Sequence, residues 1–198
     1  MIEVAEMLKV FQQYRGNAIV VPGQAGRHWT AISTQPGLDV PLIPYPAMGG
    51  GASFALGLAL AQPDRKVVVF DSEGSLMMYL GILVMVAEQQ PKNFYHFLLD
   101  NECYATTGGQ PVPNARSTRY DALARDVGYP NTCMFDGLGK FAANIEPLLT
   151  QPGPAFVALK VRPEVQNVPV AERKSWVTRT REQVRDDLRK TLGIADAA

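Results

Sequence analysis

The chain is short of charge imbalance, cysteine, histidine and long apolar runs, and each shortage excludes something. Lysine plus arginine number 19 and aspartate plus glutamate number 19, so the formal net charge is zero. No overall basic field exists to gather nucleic acid or to hold the chain on an anionic membrane. A small anionic substrate is still possible, because it needs only one or two well-placed cations. Cys103 and Cys133 are too few for a disulfide framework and lack the paired spacing of a zinc site. Residues 1–10 carry Glu3 and Glu6 and no basic stretch leading into an apolar core, so no signal peptide is expected. The most apolar segment, 76–87, is about a dozen residues long and too short to cross a bilayer. No Gly-x-Gly-x-x-Gly follows the first expected strand, which disfavours a generic dinucleotide-binding domain. The expectation is a soluble protein of a reducing, cytoplasmic compartment.

What is present is an ordinary globular balance, 46% hydrophobic and 19% charged in 198 residues. That suffices for one α/β domain over 1–198 with a sizeable core. Val4, Met7, Leu8 and Phe11 recur at helical spacing and predict a helix over 2–14. A β-branched run at 17–21 meets Pro22-Gly23 and reads as a buried strand entering a loop. Residues 22–47, rich in proline and glycine, read as a long connection, and such connections are usually functional or disordered. Residues 49–61 suit a tightly packed helix with a glycine-rich start. Lys66-Val67-Val68-Val69-Phe70 is the clearest strand, followed by a helix over 76–89. A second central strand is expected at 94–99, then an irregular segment at 102–117. A helix over 118–127, another near 139–150, a strand at 155–161 and a charged C-terminal helix at about 176–192 complete the alternation. Strands alternating with helices predict a doubly wound, mostly parallel sheet with helices on both faces.

In such sheets ligands lie outside the carboxyl ends of the strands. Two expected strand ends carry clustered oxygen ligands. The first is Asp71-Ser72-Glu73-Gly74-Ser75, opening a helix whose amides at Gly74, Ser75 and Leu76 would favour an anion. The second is Asp100-Asn101-Glu102-Cys103-Tyr104. One helix and one strand separate Glu73 from Asn101, so adjacent strand ends can place them side by side. A carboxylate, an amide oxygen and a backbone carbonyl, completed by phosphate oxygens and water, suit magnesium. Equally, Glu73 could cap its helix and Asn101 shape a turn.

Ser72-Glu73-Gly74 through Asp100-Asn101 resembles the thiamine-diphosphate motif, Gly-Asp-Gly followed by Asn-Asn. The stretches 75–81, 100–104 and Thr106-Thr107-Gly108-Gly109-Gln110-Pro111 resemble the phosphonopyruvate and sulfopyruvate decarboxylase branch of that family. The resemblance implies thiamine diphosphate with Mg²⁺ as cofactors, the metal held by Glu73, Asn101 and the backbone carbonyl of Cys103; the longer Glu73 in place of aspartate raises Ca²⁺ or Mn²⁺ as more forgiving ions. It implies cofactor contacts from Gly74, Ser75, Cys103 and Tyr104. Met48 and Gly49 match the family's Met-Gly pair, the methionine acting as an apolar wedge that bends the cofactor, with a carbonyl at Ala47 or Met48 accepting from its amine. Two departures stand in the motif: Ser72 replaces a glycine, and Glu73 replaces an aspartate and is one methylene longer.

The family's activating glutamate belongs to a separate pyrimidine-binding domain, for which a single α/β domain leaves no room. The resemblance therefore implies a beta subunit working with a pyrimidine-domain (alpha) subunit that carries the catalytic glutamate, in an α2β2 or larger assembly, on a small 2-oxoacid. A carboligase of acetolactate-synthase type and a non-catalytic cofactor-binding or regulatory subunit are the alternatives. Arg27 and His28 are candidate substrate contacts; Arg116 and Arg119 follow the Gly-Gly-Gln-Pro segment. His96, in mid-strand, reads as a satisfied core histidine, and Cys133 as structural.

Overall fold

A computed structural model describes residues 1–41, 48–173 and 175–194. The fold is organised by two apolar strands. β2 (Val67–Ser72) and β3 (Phe94–Asp100) are buried along their whole length, as strands covered on both faces must be. They pair in parallel, Val67 opposite Phe94 and Ser72 opposite Leu99. β1 (Ile19–Val21) lies on the other side of β2; β7 (Ala155–Lys160) and β6 (Asn131–Phe135) extend the sheet beyond β3. The order is β1-β2-β3-β7-β6, all parallel.

Alternate residues of each strand point to opposite faces, and two core clusters result. Val67, Val69, Phe94 and Leu98 pack under α3 (Gly51–Ala61), α5 (Ile82–Gln89), α6 (Tyr120–Val127) and α8 (Arg181–Leu192). Val68, Phe70, Tyr95, Phe97 and Leu99 pack under α1 (Val4–Tyr14), α2 (Gly26–Ile32) and α7 (Leu138–Thr150). Helices on both faces of a parallel sheet are the expected architecture.

Some boundaries and elements differ from the expectations. The connection at 22–47 contains α2, a short helix without an apolar repeat of its own, held by Trp29 against Phe11 and Phe70. Residues 42–47, with Tyr45 and the Ala47 carbonyl, lie outside the described residues. The helix expected at 76–89 is two: α4 (Glu73–Met78) begins at Glu73, and α5 resumes at Ile82 after a break. β6 carries no apolar alternation because it is an edge strand, mostly half-buried. The C-terminal helix begins at Arg181, where Thr180 and Gln183 form a reciprocal cap, and not at 176. No helix among the described residues is long and apolar enough to cross a membrane.

Two tertiary devices shape the carboxyl edge of the sheet. Arg15, buried at 2% exposure, pairs with Asp39 at 2.7 Å and stacks on Trp29, whose indole N–H donates to the same carboxylate at 2.8 Å. This fixes α2 beside the end of β1. After β7 the chain turns back across the edge: the Gln166 amide donates to the Ala105 carbonyl at 2.8 Å, and Arg173 donates to the Thr106 carbonyl at 2.8 Å.

Candidate functional site

The ends of β2 and β3 lie side by side because the strands pair in register, so the residues just beyond them converge. Ser72 closes β2 and caps α4, its hydroxyl accepting from the Ser75 amide at 3.3 Å. Glu73, the first residue of that helix, is fully buried. Its Oε1 accepts from the Cys103 amide at 3.0 Å, and Asn101 Oδ1 accepts from the same amide at 2.9 Å. Glu73 and Asn101 are thereby brought together as the spacing predicted. Glu73 Oε2 has no hydrogen-bond partner. Burial raises the Glu73 carboxyl to about 7, and the nearby Asp100 adds to the rise against backbone N–H groups that favour the anion.

The third strand end supplies a cation. Lys160, closing β7, reaches Asp100 Oδ2 at 2.8 Å and Glu102 Oε1 at 3.0 Å. Burial pushes the Asp100 carboxyl up while Lys160 pulls it back. Glu102 adopts a left-handed backbone, φ 66°, and this turn directs the chain from Asn101 into the short strand β4 (Cys103–Tyr104), paired with β5 (Gln110–Pro111). Lys160 was not anticipated. Its only sequence signal is a lone cation ending an apolar strand at the edge where the other two strand ends carry chemistry.

Two glycines make room. A Cβ on Gly74 would lie 2.8 and 2.9 Å from Tyr104 ring atoms, so any side chain there would push the ring into the space above. Gly49 has φ 81°, and its amide donates to Ser75 Oγ at 2.9 Å. The Ser75 amide expected to face an anion is therefore occupied by Ser72, and its hydroxyl is what ties the Gly49 turn to α4. Met48, 51% exposed, joins Met78 and Tyr104 over Gly74, Ser75 and Asn101 in a pocket with an apolar wall and a polar floor. A second pocket, lined by Gln24, Arg27, Ser72, Asn101, Glu164 and Gln166, continues from it, and Gln24, Ser72 and Asn101 belong to both.

The other candidates divide. Arg27 lines the second pocket and His28 stands behind it, both paired with Glu164, which accepts from His28 Nε2 at 2.9 Å and forms an ion pair with Arg27. Arg116 is exposed, and Arg119 is held by Asp121 at 2.8 Å. His96 is buried, but the expectation that it is satisfied needs correction: neither ring nitrogen has a hydrogen bond, and Asp71 Oδ2 stands 3.5 Å from Nε2. Burial and the charges of Glu73 and Glu102 push the Cys103 thiol up. Burial raises Cys133 to about 11. Neither cysteine is poised as a thiolate nucleophile.

This arrangement fits a hard divalent cation bound jointly with a phosphorylated ligand. The buried orphan oxygen of Glu73 beside the Asn101 amide oxygen is a hard oxygen donor pair, and Gly74 leaves the approach open. No cluster of three His, Cys, Asp or Glu side chains that could hold a metal by themselves is present among the described residues.

Residues 27–159 match the family profile of the thiamine pyrophosphate enzyme C-terminal TPP binding domain. The chain is 42% identical over 126 residues to sulfopyruvate decarboxylase subunit beta of Methanothermobacter thermautotrophicus, covering 64% of each chain. It is 37% identical over 117 residues to a phosphonopyruvate decarboxylase of Streptomyces hygroscopicus, covering 59% of this chain and 29% of that protein. The match thus spans less than two thirds of either relative. Among solved structures, a thiamine diphosphate-dependent 4-hydroxybenzoylformate decarboxylase from Rhodococcus jostii superposes with a TM-score of 0.64 at 19% identity. That superposition covers 84% of this chain and 33% of that one, and it shows a shared fold.

Proposed function

The chain belongs to the thiamine pyrophosphate enzymes through their C-terminal TPP binding domain, and on that premise we propose that it is the beta subunit of a heteromeric 2-oxoacid decarboxylase. The substrate in this reading is a small acid of the sulfopyruvate or phosphonopyruvate kind. The observation that carries it is the unpartnered Oε2 of buried Glu73 beside Asn101, at two adjacent strand ends. Glu73 and Asn101, with the Cys103 carbonyl, would hold Mg²⁺, or Ca²⁺ or Mn²⁺ in its place. Gly74 admits the diphosphate, Ser75 fixes the Gly49 turn, and Met48 and Tyr104 wall the apolar part of the cofactor. When bound, the cofactor supplies the electron sink for breaking the bond to the carboxylate.

The same reading calls for a pyrimidine-domain (alpha) subunit carrying the activating glutamate, in an α2β2 or larger assembly. Met48 and Met78 in the pocket, with Tyr79, Val84 and Met85 along α4–α5, are each more than half exposed. An apolar surface beside a cofactor pocket is what a covering subunit would bury. The unpaired Cys103 and Cys133 fit a cytoplasmic location.

Calorimetry with thiamine diphosphate and Mg²⁺, followed by product analysis with the alpha subunit added, tests the proposal. Saturable binding, then an aldehyde and carbon dioxide, is the expected result. A hydroxyketone product points instead to a carboligase, and binding without turnover to a regulatory subunit. Absence of binding with the partner present removes the cofactor reading altogether.

A further inference from the structure

Arg27 and His28 are both committed to one carboxylate. Glu164 accepts from His28 Nε2 at 2.9 and 3.0 Å and pairs with the Arg27 guanidinium. The three side chains are about one third exposed, so solvent and small solutes reach them. Arg27 and Glu164 line the second pocket, whose shared residues Gln24, Ser72 and Asn101 also border the pocket over Gly74. The ion pair thus borders a pocket that adjoins the one over Gly74.

Glu164 is not needed to hold its own segment in place. The chain is anchored before Glu164 by the Arg162 amide, which donates to the Ile2 carbonyl at 2.9 Å, and after it by the Gln166 amide on Ala105, by Arg173 on Thr106, and by Arg179, which donates to the Asp39 carbonyl at 3.1 Å. Trp176 packs against Gly26 at the start of α2. Its carboxylate is thus a replaceable acceptor on a fixed scaffold. A guanidinium fork with a ring N–H beside it is matched to the oxygens of a phosphoryl, phosphonate or sulfonate group, which carries at least as many acceptors as a carboxylate.

We propose that Arg27 and His28 form an oxyanion subsite continuous with the cofactor pocket, and that Glu164 is its internal stand-in ligand, displaced when a phosphate, phosphonate or sulfonate group enters. The inference rests on the proposed function for the identity of its neighbour. The oxyanion comes either from the terminal phosphate of the cofactor or from the acid tail of the substrate.

The test uses the full chain with its alpha subunit and Mg²⁺, in wild-type, Glu164→Gln and Arg27→Met forms of matched melting temperature. Each is titrated calorimetrically with inorganic pyrophosphate, phosphonoacetate and thiamine. Glu164→Gln, which removes the competing charge, should tighten binding of one oxyanion about three- to five-fold, the worth of a partly exposed ion pair. Arg27→Met should weaken the same oxyanion about tenfold, through the lost charge-assisted hydrogen bonds. Thiamine, which lacks a phosphate, should bind all three forms alike. A response confined to pyrophosphate assigns the subsite to the cofactor, and one confined to phosphonoacetate assigns it to the substrate. If Glu164→Gln tightens neither oxyanion, or Arg27→Met weakens neither, the proposal is overturned. Wild-type binding of thiamine diphosphate, measured in parallel, decides the functional reading separately.

Discussion

Replacing Glu73 by glutamine should remove one large share of the pH dependence of stability. The folded-state carboxyl is raised from its ordinary 4.5 to about 7 because the group is fully buried with one oxygen unpartnered. Below about pH 4.5 it is neutral in both folded and unfolded chains and costs nothing. Between about 4.5 and 7 the unfolded chain releases a proton that the folded chain retains, so stability falls as pH rises. Above about 7 the full penalty is in place, about 3 kcal/mol. Glutamine at 73 can still accept from the Cys103 amide, but its NH2 takes the place of the orphan oxygen and costs about 1–3 kcal/mol at every pH. The variant should therefore be less stable than wild type at pH 5 and equal or more stable at pH 8. The change in their difference is about 3 kcal/mol, or about 6–12 °C in melting temperature for a chain of this size. Asp100, also raised by burial, is present in both proteins and largely cancels in the difference. Thermal unfolding from pH 4.5 to 8.5 with a chelator present measures it. A wild-type-minus-variant difference that does not move with pH would refute an elevated Glu73. Adding Mg²⁺ and thiamine diphosphate at pH 8 should then stabilise wild type and leave Glu73→Gln unchanged.

Glu73→Asp shortens the arm to the length the family motif uses, and metal titrations of the holoenzyme should show tighter Mg²⁺ binding; weaker binding would mean that the local backbone is built for glutamate. Gly74→Ala places a methyl against the Tyr104 ring and should weaken thiamine diphosphate binding at least about tenfold by closing the pocket, a cost of about 1–3 kcal/mol. A variant with unchanged affinity in calorimetry would show that Gly74 does not border the ligand. Asp39→Ala strands the buried Arg15 charge and the Trp29 N–H, and urea unfolding should report a loss of about 3–5 kcal/mol. A loss below about 1 kcal/mol would mean that water reaches Arg15 when its partner is removed.

Local sequence determined the two central strands and the chemistry at their ends. Val67 to Phe70 is wholly apolar and Phe94 to Leu99 is broken only by His96, and a strand sandwiched between two helical layers accommodates such runs. Once β2 and β3 were parallel neighbours, Glu73 and Asn101 had to converge, because pairing in register aligns the strand ends. The glycines at 49 and 74 were marked by the family motif, while the side chains that crowd a Cβ there, Met78 and Tyr79 at Gly49 and Tyr104 at Gly74, were brought close by the fold.

Tertiary structure alone decided what those residues meet. Strand order placed Lys160 between Asp100 and Glu102, a partnership between positions far apart in the chain that no local periodicity encodes. The return of the chain after β7 across the sheet edge delivered Glu164 to Arg27 and His28, giving both side chains one carboxylate partner that the sequence did not reveal. Helix α2 and edge strand β6 were missed for the same reason: each is stabilised by long-range packing and pairing that outweigh a weak local pattern. The burial that lifts Glu73 is likewise collective, since it comes from the strands and turns that close over the side chain and not from its neighbours in sequence.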